Sequence, residues 1–339
     1  MVGEAFLAAG PRAVTTATIS RPPAGTGLWK TAQGLGLLLT VILLAGLLTR
    51  PDLTLNVLWN AVVPVLPAVF LVSTAIWRNV CPLATLTMLP GGRFGARTIR
   101  EGTIRATLIA GVGLLLVLVP ARRFMFNTDG VALAATIAAV AILALGGGFR
   151  FKRKAGFCNT ICPVLPVERL YGQRPLLQVA NVRCTPCIGC TERGCIDLSP
   201  ADSARTAVGP RWGGTWLFSP FGLFAAAFPG FIFGYYTIAN GPLHQAVVVY
   251  RQVLLAMAVS AAAVTLLVTV FRIGAAVALP VLAALAVGLY YWYAAAVVAE
   301  AWGITGIPTW SIRIAALALI LTWLPRALRP AEPAPSWPR

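Results

Sequence analysis

Four cysteines in one polar stretch are the residues best suited to do chemistry. Cys184, Cys187 and Cys190 follow one another at intervals of three residues, and Cys195 comes shortly after them. A C-x2-C-x2-C spacing places three thiolates on three corners of an iron–sulfur cubane, whereas zinc sites more often use C-x2-C pairs separated by a longer loop. The spacing therefore predicts an iron–sulfur cluster, and with it a protein that moves electrons.

The three remaining cysteines are Cys81, Cys158 and Cys162, and two of them precede a proline. Ferredoxin motifs end in a Cys-Pro unit, whose thiolate reaches a cluster bound by another cysteine triplet. A second metal centre at these three residues is one interpretation, and structural or redox-active thiols without metal are the other. Seven thiolates cannot complete two cubanes, so a second centre would need an oxygen ligand or a partner subunit.

The two Cys-Pro units have similar surroundings. Trp77–Pro82 aligns with Cys158–Pro163, and a glycine and an arginine follow at matching distances, which are Gly91 and Arg93 in the first copy and Gly172 and Arg174 in the second. These matches indicate a weak internal repeat, in which the second and third apolar runs correspond to the fourth and fifth. Chance similarity of two short loops is the alternative.

The elements that must position these cysteines are apolar. The chain is 58% hydrophobic and 11% charged, whereas soluble proteins are roughly a quarter charged. Crossing ~30 Å of hydrocarbon takes about 20 residues, and no run alternates as a strand would. The sequence thus predicts an all-α integral membrane protein with about eight transmembrane helices, at 31–49, 56–77, 104–121, 129–148, 214–238, 245–271, 274–299 and 309–326.

The basic residues orient this bundle. There are 27 of them against 10 acidic residues, and they cluster between apolar runs, which favours a topological role over nucleic-acid binding. With eight spans, 22 basic residues fall on the side of the cysteines, and the opposite side keeps four: Arg50, Arg122, Arg123 and Arg313. The positive-inside rule then puts both termini and every cysteine in the cytoplasm, at a bacterial inner membrane.

The predicted organisation follows directly. Residues 1–30 form a cytoplasmic segment without an apolar core long enough for a signal peptide. Transmembrane helices 1–4 occupy 31–148, with the first Cys-Pro loop at 78–103. A cytoplasmic iron–sulfur segment covers 149–213, helices 5–8 occupy 214–326, and a Pro-rich tail covers 327–339.

Basic residues near the cysteines have two interpretations. The run Arg150–Lys154 is typical of attraction to anionic lipid headgroups. Arg183 and Arg193 lie inside the cysteine motif. Because a cubane with four thiolates is anionic, these two are candidates for raising its reduction potential or for docking an acidic soluble electron carrier.

A quinone site is predicted more weakly at the opposite face. His244, Tyr250 and Arg251 fall together there and could contact a quinone head, although an ordinary interfacial position is the simpler explanation. Arg251 lies inside a span, so it should pair with Glu300 or Asp129 or extend its charge outward. The aromatic run Tyr290–Tyr293 is typical of an interfacial belt or, alternatively, of a quinone cleft.

The combination of Cys158–Pro163 at the end of a span with a following C-x2-C-x2-C resembles the NapH/NosR-type membrane-bound polyferredoxins. The resemblance covers mainly residues 75–95 and 150–200. It implies [4Fe–4S] clusters beside a helical membrane domain, passing electrons between a quinone pool or a soluble donor and other subunits of a redox complex. This chain departs from the family in having seven cysteines and a C-x4-C interval before Cys195.

The sequence therefore predicts a membrane electron-transfer subunit with one [4Fe–4S] cluster and room for a second. The triplet could take its fourth ligand locally from Cys195, or remotely from Cys81 or Cys162. Two other functions remain: a redox-sensing or assembly protein with a cluster, and a structural subunit whose cysteines hold zinc.

Overall fold

The computed structural model describes residues 26–179, 187–209 and 213–329. These residues form twelve α-helices and no strand; two isolated parallel bridges join Arg97 to Phe151 and Ile99 to Thr191. The all-α prediction is confirmed. The helices are α1 Thr26–Thr49, α2 Pro51–Val57, α3 Val63–Val80, α4 Pro82–Gly91, α5 Glu101–Ala121, α6 Gly130–Arg150, α7 Leu165–Tyr171, α8 Pro200–Val208, α9 Pro220–Thr237, α10 Ala246–Phe271, α11 Ala275–Ala301 and α12 Ile307–Ala327.

Seven helical segments among the described residues are long and apolar enough to cross a membrane. They match seven of the eight predicted spans. Two are longer than predicted because π-helical turns continue them: Leu58–Val62 joins α2 to α3, and Arg122–Phe126 extends α5 beyond Pro120. The segments are Gly27–Thr49, Pro51–Val80, Glu101–Phe126, Gly130–Arg150, Leu243–Phe271, Ala275–Ala301 and Ile307–Ala327.

The remaining predicted span, the fifth in chain order at 214–238, is not one of these seven segments. Its first part is a 3-10 turn, Gly213–Phe218, and only Pro220–Thr237 forms the helix α9. The helix α9 is 18 residues long and contains two prolines, three glycines and two tyrosines. Thirteen of its 18 residues are buried, so α9 is the central helix of the bundle rather than one that faces lipid.

Contacts at its two ends show that α9 nonetheless runs from one end of the bundle to the other. Before it, the Trp216 indole donates to the carbonyl of Ile273, between α10 and α11. Near its other end, the Tyr235 hydroxyl bonds to Arg122, beyond the last turn of α5. α10 then packs along α9 in the reverse direction, which makes the two helices an antiparallel pair.

All the described cysteines lie at the same end of the bundle, here called the cysteine end. The first and last helices also meet that end: Gln33 of α1 donates to the carbonyl of Asn79 at the end of α3, and Arg326 of α12 donates to the carbonyl of Leu176.

α3 is broken two turns before the cysteine end. Ser73 has the extended angles φ −165° and ψ 103° inside the helix, which leaves carbonyls of the preceding turn without helical partners. The backbone amides of Leu176 and Leu177 donate to the carbonyls of Leu71 and Val72. The segment after α7 therefore repairs the break, and it anchors the second cysteine region against the helix that leads into Cys81.

α4 and α6 pack with their backbones in close contact. An added Cβ at Gly148 of α6 would collide with the carbonyl oxygen of Thr87 and would lie 2.8 Å from Cγ of Pro90. Gly146, two residues earlier, has nothing within 4 Å of such a Cβ. Glycine at 148 thus allows the short helix after Cys81 to lie against the helix that leads to Cys158.

Candidate metal centre

Three cysteines from two distant segments line one cavity at the cysteine end. Cys81 is the residue between α3 and α4, and Cys158 and Cys162 lie in the turns between α6 and α7. The cavity has a volume of about 40 Å³, and Trp77, Arg78, Leu83, Ala84, Val164 and Glu168 complete its lining. The predicted grouping of Cys81 with Cys158 and Cys162 is therefore what the tertiary structure brings together.

The two Cys-Pro units are followed by similar structure. Cys81-Pro82 begins α4, which ends at Gly91, and Cys162-Pro163 precedes α7, which is closed by Gly172. In each case a span leads to the cysteine, and a short helix leads away from it. The difference is that Cys81 follows α3 directly, whereas a run of turns separates α6 from Cys162.

The three thiols are held in an environment that favours their uncharged form. Burial, with a contribution from Cys158, raises the pKa of Cys81 to about 12. Burial also raises the pKa values of Cys158 and Cys162. A metal that bound here would have to displace protons, because thiolates are the ligating form.

A buried arginine ties these segments together. The Arg78 guanidinium, one turn before Cys81, donates to both carboxylate oxygens of Asp197 at 2.8 and 2.9 Å and to Glu168 Oε2 at 2.7 Å. It also donates to Oδ1 of Asn159 at 2.7 Å and to the carbonyl of Cys158. Both ion pairs are nearly inaccessible, with side-chain exposures of 2–3%. One side chain thus joins the first Cys-Pro loop to the second, to α7 and to the segment after Cys195.

Lys154 completes the network and corrects an expectation. Its ammonium is 2% exposed, and it donates to the carbonyl of Arg78 at 2.9 Å and to Asp197 at 3.2 Å. The position of Lys154 in the run Arg150–Lys154 predicted that it would face lipid headgroups. The structure buries it in this network instead. Burial alone would raise the pKa of Asp197, but Arg78 and Lys154 hold it well below its usual value.

The spacing of the cysteines did not indicate Arg78, Glu168 and Asp197 as parts of the site. A signal was available, since the chain has only 10 acidic residues and four of them lie in the cysteine-rich segment 149–213: Glu168, Glu192, Asp197 and Asp202. Carboxylates so placed in a membrane protein are expected to pair with a cation. Which of 27 basic residues they pair with could not be read from the sequence.

Of the second set of cysteines, the structure describes Cys187, Cys190 and Cys195. Cys187 is exposed, whereas Cys190 and Cys195 are buried. Cys190 packs with Ile99, Ile104 and Ala155, a cluster separate from the one that holds Cys158 and Cys162, and its carbonyl accepts from the amide of Ile99. Cys184 and Arg183 lie outside the described residues, and Arg193 is exposed.

The residues of the predicted quinone contact do not line a common site. His244 and Arg251 are exposed, whereas the Tyr250 hydroxyl donates to the carbonyl of Val117 at 2.7 Å. Arg251 does not pair with either predicted carboxylate: Asp129 instead caps α6 by accepting from the amide of Ala132, and no ion pair joins Arg251 to Glu300 within the described chain. A side chain near the start of α10 can reach water by extending outward, which makes pairing unnecessary.

Among the residues that the structure describes, no three His, Cys, Asp or Glu side chains are arranged to hold a metal ion. Three cysteines line the cavity and its other titratable residues pair with each other, but the thiols are not arranged as metal ligands in this structure. A cavity of about 40 Å³ is the size of one or two waters, so a cluster would require the lining to move apart.

No protein family model matches this chain, and no curated protein or solved structure is significantly similar to it. The function must therefore be argued from the site.

Proposed function

We propose that this protein is a membrane-embedded electron-transfer subunit that carries iron–sulfur clusters at its cysteine end. The observation that carries the proposal is the convergence of Cys81, Cys158 and Cys162 on one cavity, from segments 77 residues apart in the chain and joined by the buried Arg78 network. Isolated buried cysteines are ordinary small apolar residues. Three line one cavity here, and the same chain carries Cys184, Cys187 and Cys190 at a cubane spacing.

Two ligand sets follow from the spatial grouping. Cys184, Cys187, Cys190 and Cys195 would hold one [4Fe–4S] cluster, and Cys81, Cys158 and Cys162 would hold a second centre with three protein thiolates. Cys190 and Cys162 pack in separate apolar clusters, which supports placing these two residues in different ligand sets. Ile196, next to Cys195, packs in the cluster of Cys158 and Cys162. Such clusters supply one-electron transfer; the protein supplies burial, position and the surrounding charges.

Iron analysis and cysteine variants test this assignment. Purified protein should contain about four irons for one cubane, or about seven to eight with the second centre, and its visible absorbance should bleach with dithionite. Cys187→Ser should remove the main cluster signal. Cys162→Ser and Cys81→Ser should keep it, whereas Cys195→Ser should lose it or convert it to a three-iron form.

Two outcomes would overturn this assignment. Stoichiometric zinc without iron would make the protein a zinc-stapled structural subunit. Loss of the main electron paramagnetic resonance signal in Cys162→Ser, with Cys195→Ser unchanged, would show that a Cys-Pro thiolate completes the cluster and that the two sets are not separate.

We further propose that the cysteine end faces the cytoplasm of a bacterial inner membrane. The 22-to-4 division of basic residues supports this orientation. Reporter fusions at Asp202 and at Gly241 should report opposite sides, with Asp202 inside. The same side for both would mean that α9 does not cross the membrane.

A further inference from the structure

Two adjacent arginines at the end of the bundle opposite the cysteines have no carboxylate partner. Arg122 and Arg123 begin the π-helical turn that extends α5, and both are half-buried. The ion pairs within the described part of the chain all use other cations, which are Arg78, Arg105 and Lys154. Two like charges held side by side repel each other, so an anion that joined them would be stabilised.

One tyrosine holds both of these side chains. The Nη1 of Arg122 donates to the Tyr235 hydroxyl at 3.1 Å, and the guanidinium carbon of Arg123 lies 4.3 Å from the centroid of the same ring. Tyr235 belongs to the central helix α9 and is 5% exposed. Two further contacts come from other segments: the Trp59 ring lies 4.7 Å from the Arg122 guanidinium carbon, and Oδ1 of Asn240 accepts from Arg123 at 3.0 Å. The fold therefore sets the positions of both charges.

Each guanidinium keeps most of its capacity to donate hydrogen bonds. An arginine has five N–H donors in one plane, and Arg122 and Arg123 each give one side-chain hydrogen bond to the described protein. The Nε of Arg123 is buried without a hydrogen-bond partner, so this side chain still lacks an acceptor. Two parallel N–H groups of a guanidinium match two oxygens of a phosphate. The ligand chemistry that fits this pair is therefore a phosphate group.

The depth of the pair indicates where that phosphate comes from. Arg122 and Arg123 lie about one turn before the end of the membrane-spanning segment Glu101–Phe126, and Trp59 lies about two turns inside the segment Pro51–Val80. This is the level of the aromatic belt and the lipid headgroups. Lipid phosphates are present at that depth, whereas a soluble anion would have to leave water to reach it. The pair is thus placed for a phospholipid.

We propose that Arg122 and Arg123 bind the phosphate of an anionic phospholipid in the leaflet opposite the cysteine end. Two fixed positive charges favour a headgroup with a net negative charge over a zwitterionic one. Arg313, at the same end, provides the contrast. It lies 4.2 Å from the ring centroid of Trp292, but it is a single charge whose Nε and Nη2 already donate to the carbonyl of Trp292. This inference does not depend on the proposed function, because it uses no cysteine.

Native mass spectrometry of the full chain in detergent, titrated with dioctanoyl phosphatidylglycerol, tests this site. The double substitution Arg122→Gln and Arg123→Gln should weaken binding of the first lipid by at least about tenfold, because it removes the charge-assisted contacts. The control Arg313→Gln should stay within about twofold of wild type, since its donors are already occupied. Wild type should bind dioctanoyl phosphatidylcholine more weakly than phosphatidylglycerol. Equal losses in the double variant and the control, or no loss in either, would overturn the inference.

Further arms keep the test decisive if the double glutamine variant does not fold. Replacing both arginines by lysine keeps the charges without the planar fork, and should give binding weaker than that of wild type. Tyr235→Phe keeps the ring without the hydroxyl that orients Arg122, and should also weaken binding. Lipid affinity equal to that of wild type in both variants would overturn a built site. Inorganic phosphate in large excess should not displace the lipid from wild type; complete displacement would assign the site to a soluble anion and overturn the lipid proposal.

Discussion

The two ends of the bundle use arginine in opposite ways. At the cysteine end, Arg78 is 3% exposed, and its guanidinium is saturated by two carboxylates, an amide oxygen and a carbonyl. At the opposite end, Arg122 and Arg123 lie over aromatic rings, with their guanidinium carbons 4.7 Å from the centroid of the Trp59 ring and 4.3 Å from that of Tyr235. At the cysteine end, carboxylates neutralise the charge of Arg78. At the opposite end, the charges of Arg122 and Arg123 lie against the π faces of aromatic rings.

This contrast shows what each end has to achieve. Ion pairs with several hydrogen bonds fix relative positions closely, and at the cysteine end they fix four chain segments around the thiols. Cation–π contacts depend less on direction and leave the charge available to the membrane interface. Arg313 repeats the second pattern, 4.2 Å from the ring of Trp292. The opposite end is thus built as an interfacial anchor, and the cysteine end as a rigid frame.

The largest expected effect comes from removing the centre of the frame. Arg78→Met should lower the free energy of unfolding by about 3–5 kcal/mol, because Asp197 and Glu168 would be left as buried charges short of a cation. The matched change at the opposite end, Arg122→Met, should cost only about 0.5–2 kcal/mol, since it removes one cation–π contact and one hydrogen bond to Tyr235 and leaves no buried carboxylate unpaired. Thermal or chemical unfolding in the same detergent measures both. Equal losses at the two ends would remove the basis of the comparison.

A smaller effect is expected from helix contact near the frame. Gly148→Ala should destabilise the protein by about 1–3 kcal/mol, because the new methyl group would force α4 away from α6. Gly146→Ala, on the same helix with open space around it, should be neutral or stabilising by up to about 1 kcal/mol.

Cluster content sharpens this second test. If the packing of α4 against α6 positions Cys81, the residue before α4, at the cavity, Gly148→Ala should also lower the metal occupancy of the three-thiolate centre. Gly146→Ala should not lower it. Full occupancy in Gly148→Ala would show that the contact between α4 and α6 supports the fold without positioning Cys81.

Much of the fold could be predicted because a membrane constrains a chain locally. Seven of the eight predicted spans became helices long and apolar enough to cross, with ends close to those read from the sequence. The exception was α9, where prolines, glycines and tyrosines are tolerated because neighbouring helices rather than lipid surround them. Pro120 was taken as a helix end, and a π-helical turn continues past it.

The sequence indicated which types of residue form the candidate site, but it did not indicate which of them bond to each other. The sequence put Cys81, Cys158 and Cys162 in one candidate ligand set, and these three residues line one cavity; their role as metal ligands stays a prediction. The pairing of Arg78 with Asp197 spans 119 residues, and no pattern in the chain marks it. Arg193 and Arg169 look equally basic in the sequence, yet Arg193 is exposed and Arg169 is buried.

The sequence by itself therefore determined the class of protein, the helices and the end at which the cysteines gather. Each of these depends on local composition measured against a bilayer of fixed thickness. Only the tertiary structure decided which thiols share a cavity, which charges neutralise each other and which cations lie against aromatic rings instead. Those choices depend on which loops meet when helices pack, and the free energy of a buried charge is set by neighbours that are distant in the chain.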